Sequence, residues 1–244
     1  MTYAWRYLRS LVFVLQMYAA MLVLALWYTP QAMINRDRAY AAVHTYCRWV
    51  RWTARWMVGL HSEVRGEVPT DEVILASKHQ SFFDIIIIVS VVPRPRFIMK
   101  SSLRWAPILG WYAKRIGCVA VDRGKRAKAV QQMVEGVTAP DAPKGQLVIY
   151  PQGTRVAPDA KRPYKVGVGA LYAALGQPVV PAATNVGVFW PRTGVYRKPG
   201  LAVVEFLPRI APGLGVEPFM AEIEQVIETA SDHLIAEARA GLQR

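Results

Sequence analysis

Residues 79–84, with the sequence HQSFFD, place a histidine and an aspartate between two apolar runs. The run at residues 73–78 is typical of a buried strand, and residues 83–92 are typical of a helix. A residue directly after such a strand, here His79, lies at the carboxyl edge of the sheet, where open α/β folds bind ligands. Asp84 can then accept a hydrogen bond from one imidazole nitrogen, which leaves the other nitrogen to take a proton from a hydroxyl group. The pair predicts a general base and the group that orients it.

The same spacing also fits a structural pair, in which Asp84 caps the helix and His79 is a satisfied turn histidine. It does not suit a metal site on one helix face, because that needs ligands four residues apart. No G-x-S-x-G nucleophile elbow occurs in the chain, and Ser81 is interpreted as a turn residue. Spacing alone leaves the catalytic and the structural interpretation open. In the catalytic one, the attacking alcohol belongs to the substrate.

A second candidate element, residues 150–155 with the sequence YPQGTR, also follows a predicted strand. Gly153 allows a tight turn that exposes backbone N–H groups, and Arg155 offers a planar guanidinium that can bind a phosphate with two hydrogen bonds. An ordinary β-turn with a surface arginine explains the same residues. Lys100, after another predicted strand, is expected at the same sheet edge as His79 and Arg155. Together these residues predict an anion site beside the base.

Four blocks in this order, over residues 78–185, resemble the PlsC-like lysophosphatidic acid acyltransferase family. His79 and Asp84 match the H-x4-D motif of that family. Its second block is matched by Lys100, Leu103, Pro107, Gly110, Gly117, Val121 and Arg123. Its third block, usually F-P-E-G-T-R, is matched by Tyr150, Pro151, Gly153, Thr154 and Arg155. Residues 179–182 fit the fourth block, V-x-P-V, loosely.

The resemblance implies an activity and assigns roles to residues. The implied reaction moves a fatty acyl group from acyl-CoA or acyl carrier protein to the free sn-2 hydroxyl of lysophosphatidic acid, giving phosphatidic acid. It needs no acyl-enzyme, metal or cofactor. The implied catalytic residues are His79 and Asp84, and the implied substrate-binding residues are Lys100, Gly153, Thr154 and Arg155. The alternatives are a relative that acylates glycerol 3-phosphate or a lyso-aminolipid, and a non-catalytic membrane lipid-binding module.

One position departs from the pattern of the family, since Gln152 stands where a glutamate is usual. An amide keeps its hydrogen-bonding capacity but carries no charge and cannot act as a base. Because His79 supplies the base, we expect activity to survive and the change Gln152→Glu to be tolerated. The lost charge alters the field near Arg155, so the identity of the acceptor is the point left open.

The chain of 244 residues is both basic and apolar, with a formal net charge of +13 and 53% hydrophobic residues. This combination favours an anionic membrane lipid as a partner over nucleic acid, and no zinc-finger spacing, RNP-like run or basic tail occurs. Cys47 and Cys118 lie far apart without C-x-x-C spacing, so neither a disulfide nor a zinc site is expected.

The N-terminal segment is predicted to associate with a membrane. Residues 11–28 carry no charge and would form about 27 Å of helix, close to the ~30 Å hydrocarbon layer of a bilayer. A cleaved signal peptide is the alternative, but no clear cleavage site precedes Pro30.

Residues 39–60 carry two adjacent helical stripes, Arg48, Arg51, Arg55 and Trp49, Trp52, Trp56. Indole rings and arginines at this spacing predict a helix in the membrane interface, with the arginines on lipid phosphates. An ordinary amphipathic helix packed on the domain, arginines outward, is the alternative.

From residue 62 onward, short β-branched runs alternate with helical stretches, which predicts an α/β domain with a layered sheet flanked by helices. Strands are predicted at residues 73–77, 97–99, 118–121, 147–150, 179–183 and 201–207, and helices at 83–92, 102–115, 125–137 and 167–175. A last helix from Pro218 is expected to keep its acidic residues, among them Glu228, on a solvated face.

The chain is thus divided into a membrane-embedded or interfacial two-helix segment, residues 1–61, and an acyltransferase catalytic domain, residues 62–244. Acyl-CoA and acyl carrier protein are cytosolic, so we expect the domain at the cytosolic face of the inner (plasma) membrane. The first helix either spans the bilayer once or, in the favoured arrangement, dips into one leaflet and returns near Pro30.

Overall fold

The structure, a computed structural model, describes residues 3–122 and 126–243. In this part of the chain seven strands form one sheet in the order β1-β7-β6-β2-β5-β3-β4. Their bounds are β1 Leu60–Arg65, β2 Ile74–Ser77, β3 Pro95–Lys100, β4 Val119–Val121, β5 Gln146–Ile149, β6 Val179–Thr184 and β7 Gly200–Phe206. Neighbouring strands are parallel except for β6 and β7, which are antiparallel. The carboxyl ends of β2, β3, β4, β5 and β6 therefore share one edge, and those of β1 and β7 lie at the opposite edge.

Helices cover both faces of this sheet. Their bounds are α1 Tyr3–Ile34, α2 Arg36–Val58, α3 Phe83–Val91, α4 Pro107–Arg115, α5 Arg126–Thr138, α6 Gly167–Leu175 and α7 Val216–Leu242. Ile74 and Leu75 on β2 illustrate the arrangement, because successive strand residues point to opposite faces. Leu75 packs in the core that contains Phe83 of α3, and Ile74 packs in the core that contains Phe219 of α7. Both residues are fully buried, which explains the continuous apolar run. The predicted layered α/β fold is confirmed.

Two local predictions differ from the structure. The predicted single helix over residues 102–115 is wrong: a 3-10 helix, Ser101–Trp105, precedes α4, which begins at Pro107. Proline lacks an N–H and holds the residue before it in an extended conformation, so it starts a new helix. Strand β1 was not predicted, because it lies at the sheet edge and most of its side chains are at least partly exposed. β1 includes residues 61 and 62, between which the sequence analysis divides the chain. That boundary between an N-terminal segment and a catalytic domain stays a prediction.

Helices α1 and α2 form an antiparallel hairpin. The chain reverses at Asn35, whose side chain accepts a hydrogen bond from the N–H of Asp37 at 2.8 Å. The predicted bend near Pro30 is wrong, since α1 continues through that residue. Gln16 of α1 donates to the hydroxyl of Thr53 on α2 at 3.0 Å, which holds the two helices together.

Helix α1 also lies along the rest of the molecule. Near its start, the hydroxyl of Ser10 accepts a hydrogen bond from the N–H of Arg197 at 3.0 Å. Near its end, Arg115 of α4 donates to the carbonyl of Ala32 at 2.8 Å. In the described part of the chain, α1 is the one helix long and apolar enough to cross a membrane. Its outward face exposes Leu8, Leu11, Val12, Leu15, Tyr18, Leu22, Val23, Leu26 and Trp27.

Within the arginine stripe of α2, Arg51 is not where the sequence predicts it, whereas Arg48 is exposed. Arg51 donates to the hydroxyls of Ser62 and Ser90, both at 2.8 Å, and therefore lies between α2 and the sheet domain rather than on lipid phosphates. The ε-nitrogen of Arg48 also points to this region, 3.4 Å from the carbonyl of Ser90. Arg55 is exposed. The neighbouring tryptophan stripe is exposed as well, so it stays available to a membrane.

Candidate active site

The turn after β2 carries the candidate base. The N–H of Lys78 donates to the carbonyl of Ala182 at 3.0 Å, which keeps the chain paired with β6 one residue beyond the strand. The chain then leaves the sheet, and α3 begins at Phe83. His79 therefore lies at the carboxyl edge, as the sequence predicts, with 13% of its side chain exposed.

The carboxylate of Asp84 is the centre of this turn. It is fully buried and accepts hydrogen bonds from His79 Nδ1 at 2.9 Å and, through Oδ2, from the N–H groups of Gln80 and Ser81 at 2.8 Å. The hydroxyl of Tyr150 donates to Oδ1 at 3.3 Å. The predicted contact between imidazole and carboxylate is present. Asp84 thus closes the turn with one oxygen and holds the imidazole with the other.

Tyr150 is a site residue whose role sequence analysis missed. Its ring stacks on the imidazole of His79, with centroids 4.0 Å apart and an interplanar angle of 21°. Burial first, and then the Asp84 carboxylate, raises the pKa of the Tyr150 hydroxyl well above its usual value, so the group remains a donor. Among the described residues no hydrogen bond involves His79 Nε2. The imidazole is therefore held by its ring face and by Nδ1.

The loop after β5 lies directly against this turn. The N–H of Val156 donates to the carbonyl of His79 at 2.8 Å, and the N–H of Gly153 donates to the carbonyl of Tyr150 at the same distance. Gly153 has φ +68°, a conformation that side chains disfavour. A Cβ at this position would also lie 2.9 Å from Lys165 Nζ, so the ammonium of Lys165 covers the turn. Sequence reasoning missed Lys165 because it lies twelve residues after the motif glycine.

The predicted anion-binding residues are only partly brought together. Arg155 is half-buried beside His79, and one of its guanidinium nitrogens donates to the carbonyl of Arg192 at 2.9 Å. Thr154 is half-buried in the same turn. Lys100 is exposed at the end of β3, which is two strands from β2, or about 10 Å at ~4.8 Å per strand. Arg123 lies outside the described residues.

A buried ion pair lies behind the two loops. The ammonium of Lys78, 1% exposed, is 2.5 Å from Oε2 of Glu228 on α7. Oε1 of the same carboxylate accepts from the amide of Gln152 at 3.3 Å and from the hydroxyl of Tyr164 at 2.9 Å. The predicted solvated position of Glu228 is wrong, since its side chain is only 21% exposed. The helical period of the sequence predicted the apolar face of α7, but it did not indicate that the buried ammonium of Lys78 lies beside that face.

The arrangement can perform one kind of chemistry from the residues described. His79 can accept a proton at Nε2, while Asp84 fixes the imidazole and stabilises its protonated form. Arg155 and Lys165 add positive charge to the loop that is hydrogen-bonded to His79 through Val156, and such cations can hold an anionic part of a substrate.

Comparison with known proteins gives a family and several similar proteins. Residues 61–185 match the model of the Acyltransferase family. The chain is 29% identical over 212 residues to a 1-acyl-sn-glycerol-3-phosphate acyltransferase of Pseudomonas aeruginosa, covering 86% of this chain and 82% of that protein. It is 26% identical over 192 residues to a lyso-ornithine lipid O-acyltransferase of the same species, covering 77% and 66%. The chain spans only part of two further relatives, 56% of a 1-acyl-sn-glycerol-3-phosphate acyltransferase of Limnanthes alba and 53% of one of Saccharomyces cerevisiae.

A solved structure shares the fold. The crystal structure of the 1-acyl-sn-glycerophosphate acyltransferase PlsC from Thermotoga maritima superposes with a TM-score of 0.77 at 21% identity. The match covers 94% of this chain and 97% of that one, so it includes the N-terminal helices as well as the sheet.

Proposed function

We propose a specific reaction for this chain, which belongs to the Acyltransferase family and is an acyltransferase of the lysophosphatidic acid acyltransferase type. It moves a fatty acyl group from acyl-CoA or acyl carrier protein to the free sn-2 hydroxyl of lysophosphatidic acid, giving phosphatidic acid. The observation that carries the proposal is the imidazole of His79, held by Asp84 at 2.9 Å beside the loop of Arg155.

The proposed chemistry uses one base and no covalent enzyme intermediate. His79 Nε2 removes the proton from the sn-2 hydroxyl as its oxygen attacks the thioester carbonyl. A carbon–oxygen bond forms, the carbon–sulfur bond then breaks, and the proton passes from the imidazolium to the leaving thiolate. Asp84 stabilises the imidazolium between these steps.

The acceptor phosphate is proposed to bind between Arg155 and Lys165, with Lys100 at the outer rim. Holding the phosphate there places the acceptor hydroxyl next to the imidazole, and such positioning can lower a barrier by about 7–11 kcal/mol. The oxyanion needs N–H donors. The N–H of Gly153 already donates to Tyr150, whereas those of Thr154 and Arg155 donate to no described residue. We assign the oxyanion to these two groups.

The exposed apolar face of α1 and the tryptophan stripe of α2 are proposed to enter one leaflet of the membrane. Because both ends of α1 contact the rest of the molecule, through Ser10 and Ala32, a shallow hairpin is supported over a single span. Cytosolic donors then require the domain at the cytosolic face of the inner (plasma) membrane. A lysolipid could reach the base sideways from that leaflet.

The reaction is tested with purified protein in detergent, supplied with acyl-CoA or acyl carrier protein and one acceptor at a time. Free thiol and lipid product are followed together for lysophosphatidic acid, glycerol 3-phosphate and lyso-ornithine lipid. We expect acceptor-dependent thiol release with phosphatidic acid as the product. Acylation of lyso-ornithine lipid alone would establish the second candidate, which the 26% identical relative favours. Lipid binding without thiol release would leave the non-catalytic module.

The membrane arrangement is tested by placing a single cysteine at Tyr3 in a variant that lacks Cys47 and Cys118. Tyr3 is 69% exposed, and the two native cysteines are replaced so that only the new thiol reports. Intact cells are treated with an impermeant thiol reagent before and after lysis. We expect labelling only after lysis, because the hairpin keeps both ends of α1 on the cytosolic side. Labelling of intact cells would establish the single span.

A further inference from the structure

We infer that Glu228 of α7 is a positioning residue for the active site. Its negative charge is also the reason why residue 152 is a neutral glutamine. This inference rests on the proposed function. The carboxylate of Glu228, from the far end of the chain, joins Lys78, which precedes the base, to the loop that carries Arg155.

The first support is the burial of Lys78. Its side chain is 1% exposed and lies one residue before His79, so an uncompensated ammonium there would be costly. Glu228 supplies the counter-charge at 2.5 Å, and in the described part of the chain Lys78 makes no other ion pair. The residue next to the base is therefore held by Glu228, which the sequence analysis expected on a solvated face.

The second support is the set of donors around the other carboxylate oxygen. Oε1 of Glu228 accepts from the Gln152 amide at 3.3 Å and from the Tyr164 hydroxyl at 2.9 Å. Burial first, and then Glu228, raises the pKa of the Tyr164 hydroxyl above its usual value, so this group stays a donor. An ionised carboxylate only accepts hydrogen bonds, so its neighbour at position 152 must donate. A glutamine meets this requirement, and an ionised glutamate does not.

The consequence reverses the expectation drawn from the sequence for Gln152→Glu. A glutamate at this position places two carboxylates within hydrogen-bond distance of each other, next to the ammonium of Lys78. Exchanging the two residues, Gln152→Glu with Glu228→Gln, keeps the net charge. The amide oxygen at position 228 can accept from Lys78, while its NH2 group donates to the new carboxylate at position 152 and the Tyr164 hydroxyl turns to accept from the same NH2 group. The negative charge thus moves from position 228 to position 152, and the hydrogen bond between the two side chains is kept.

The test compares four proteins: the wild type, Gln152→Glu, Glu228→Gln and the double exchange. For each, kcat, the KM values of lysophosphatidic acid and acyl-CoA, and the melting temperature in detergent are measured. We expect each single change to lower kcat/KM by about 10- to 100-fold, since a shift near 1 Å at a catalytic group has effects of this size. The acceptor KM should rise more than the donor KM, because Arg155 moves with its loop. The double exchange should return kcat/KM to within about threefold of the wild type.

The matched control is Glu222→Gln, an exposed residue on the same helix, which should leave every parameter unchanged. The inference would be overturned if Gln152→Glu kept wild-type activity. It would also be overturned if the kcat/KM of the double exchange were no higher than that of the less active single variant. Glu228→Gln would overturn it as well if this change lowered the melting temperature but left both KM values and kcat unchanged. The two proposals fail in different ways: absence of acyl transfer in the wild type would refute the proposed function, whereas wild-type transfer with no loss in the single variants would refute this inference alone.

Discussion

The turn that carries His79 and the loop that carries Arg155 lie side by side, yet their functional groups are held to different degrees. Asp84 is fully buried and accepts four hydrogen bonds, so the imidazole is oriented before any substrate arrives. Arg155 has one backbone partner, and Lys165 is exposed. A base must have the correct tautomer in advance, whereas a cation that grips a phosphate receives its partner with the substrate. Changes in the first region should lower turnover, and changes in the second should weaken acceptor binding.

The largest effect is expected for His79→Ala. Removing the base should lower kcat by about 10⁴-fold, at the upper end of general base contributions, while the protein stays folded and still binds the acceptor. Thiol release gives kcat, and the melting temperature reports folding. The control is His61→Ala, an exposed histidine on β1, which should behave as wild type. Near-wild-type turnover in His79→Ala would refute the base assignment.

A smaller loss, about 10²-fold in kcat, is expected for Asp84→Asn. The backbone N–H groups of Gln80 and Ser81 bind the side-chain oxygen, so the new NH2 group must face His79 Nδ1. That contact forces the proton onto Nε2, which is the wrong tautomer for a base. The acceptor KM should change little, and a rise in KM without a loss of kcat would contradict the division between the two regions.

For Arg155→Ala we expect the acceptor KM to rise by about tenfold or more, with little change in the KM of the acyl donor. Arg155→Lys should recover only part of the loss, because an ammonium cannot make the two-pronged contact of a guanidinium. Arg162→Ala is the matched control, since Arg162 is exposed on the same loop. Equal damage toward both substrates would indicate a role in folding instead.

The smallest effect is expected for Tyr150→Phe, a reduction of about threefold in kcat. The change removes one neutral donor to Asp84 and keeps the ring that stacks on His79. Phenylalanine is also the usual residue at this position in the family motif, F-P-E-G-T-R, that residues 150–155 resemble. A loss as large as that of Asp84→Asn would show that the hydroxyl, rather than the ring, holds the site together.

Sequence reasoning succeeded where the determining contacts are local. The bond between His79 and Asp84 joins residues five apart, and the buried strands follow from apolar runs such as that at Ile74 and Leu75. It failed where the partner lies far along the chain. Glu228 meets Lys78 across 150 residues, and no periodicity carries that information.

The misplaced Arg51 of α2 shows the same limit. The helical period correctly put Arg48 and Arg51 on one stripe, but it could not tell whether lipid, water or protein lies opposite. Ser62 and Ser90 provide the partners of Arg51, from two segments that tertiary folding alone brings to the helix. Strand β1 was missed for a related reason, since an edge strand need not be apolar on both faces.

The edge position of β1 also sets an order of events during synthesis. Among the strands that the structure describes, its one neighbour in the sheet is β7, where Leu60 pairs with Gly200, so the partner strand leaves the ribosome much later. At ~5–20 residues per second the delay is roughly 7–28 s. During this interval α1 and α2 have been made, but the sheet behind them cannot close. We therefore expect the nascent hairpin to reach the bilayer first, with the lipid acting as its early folding partner and limiting aggregation until the last strand arrives.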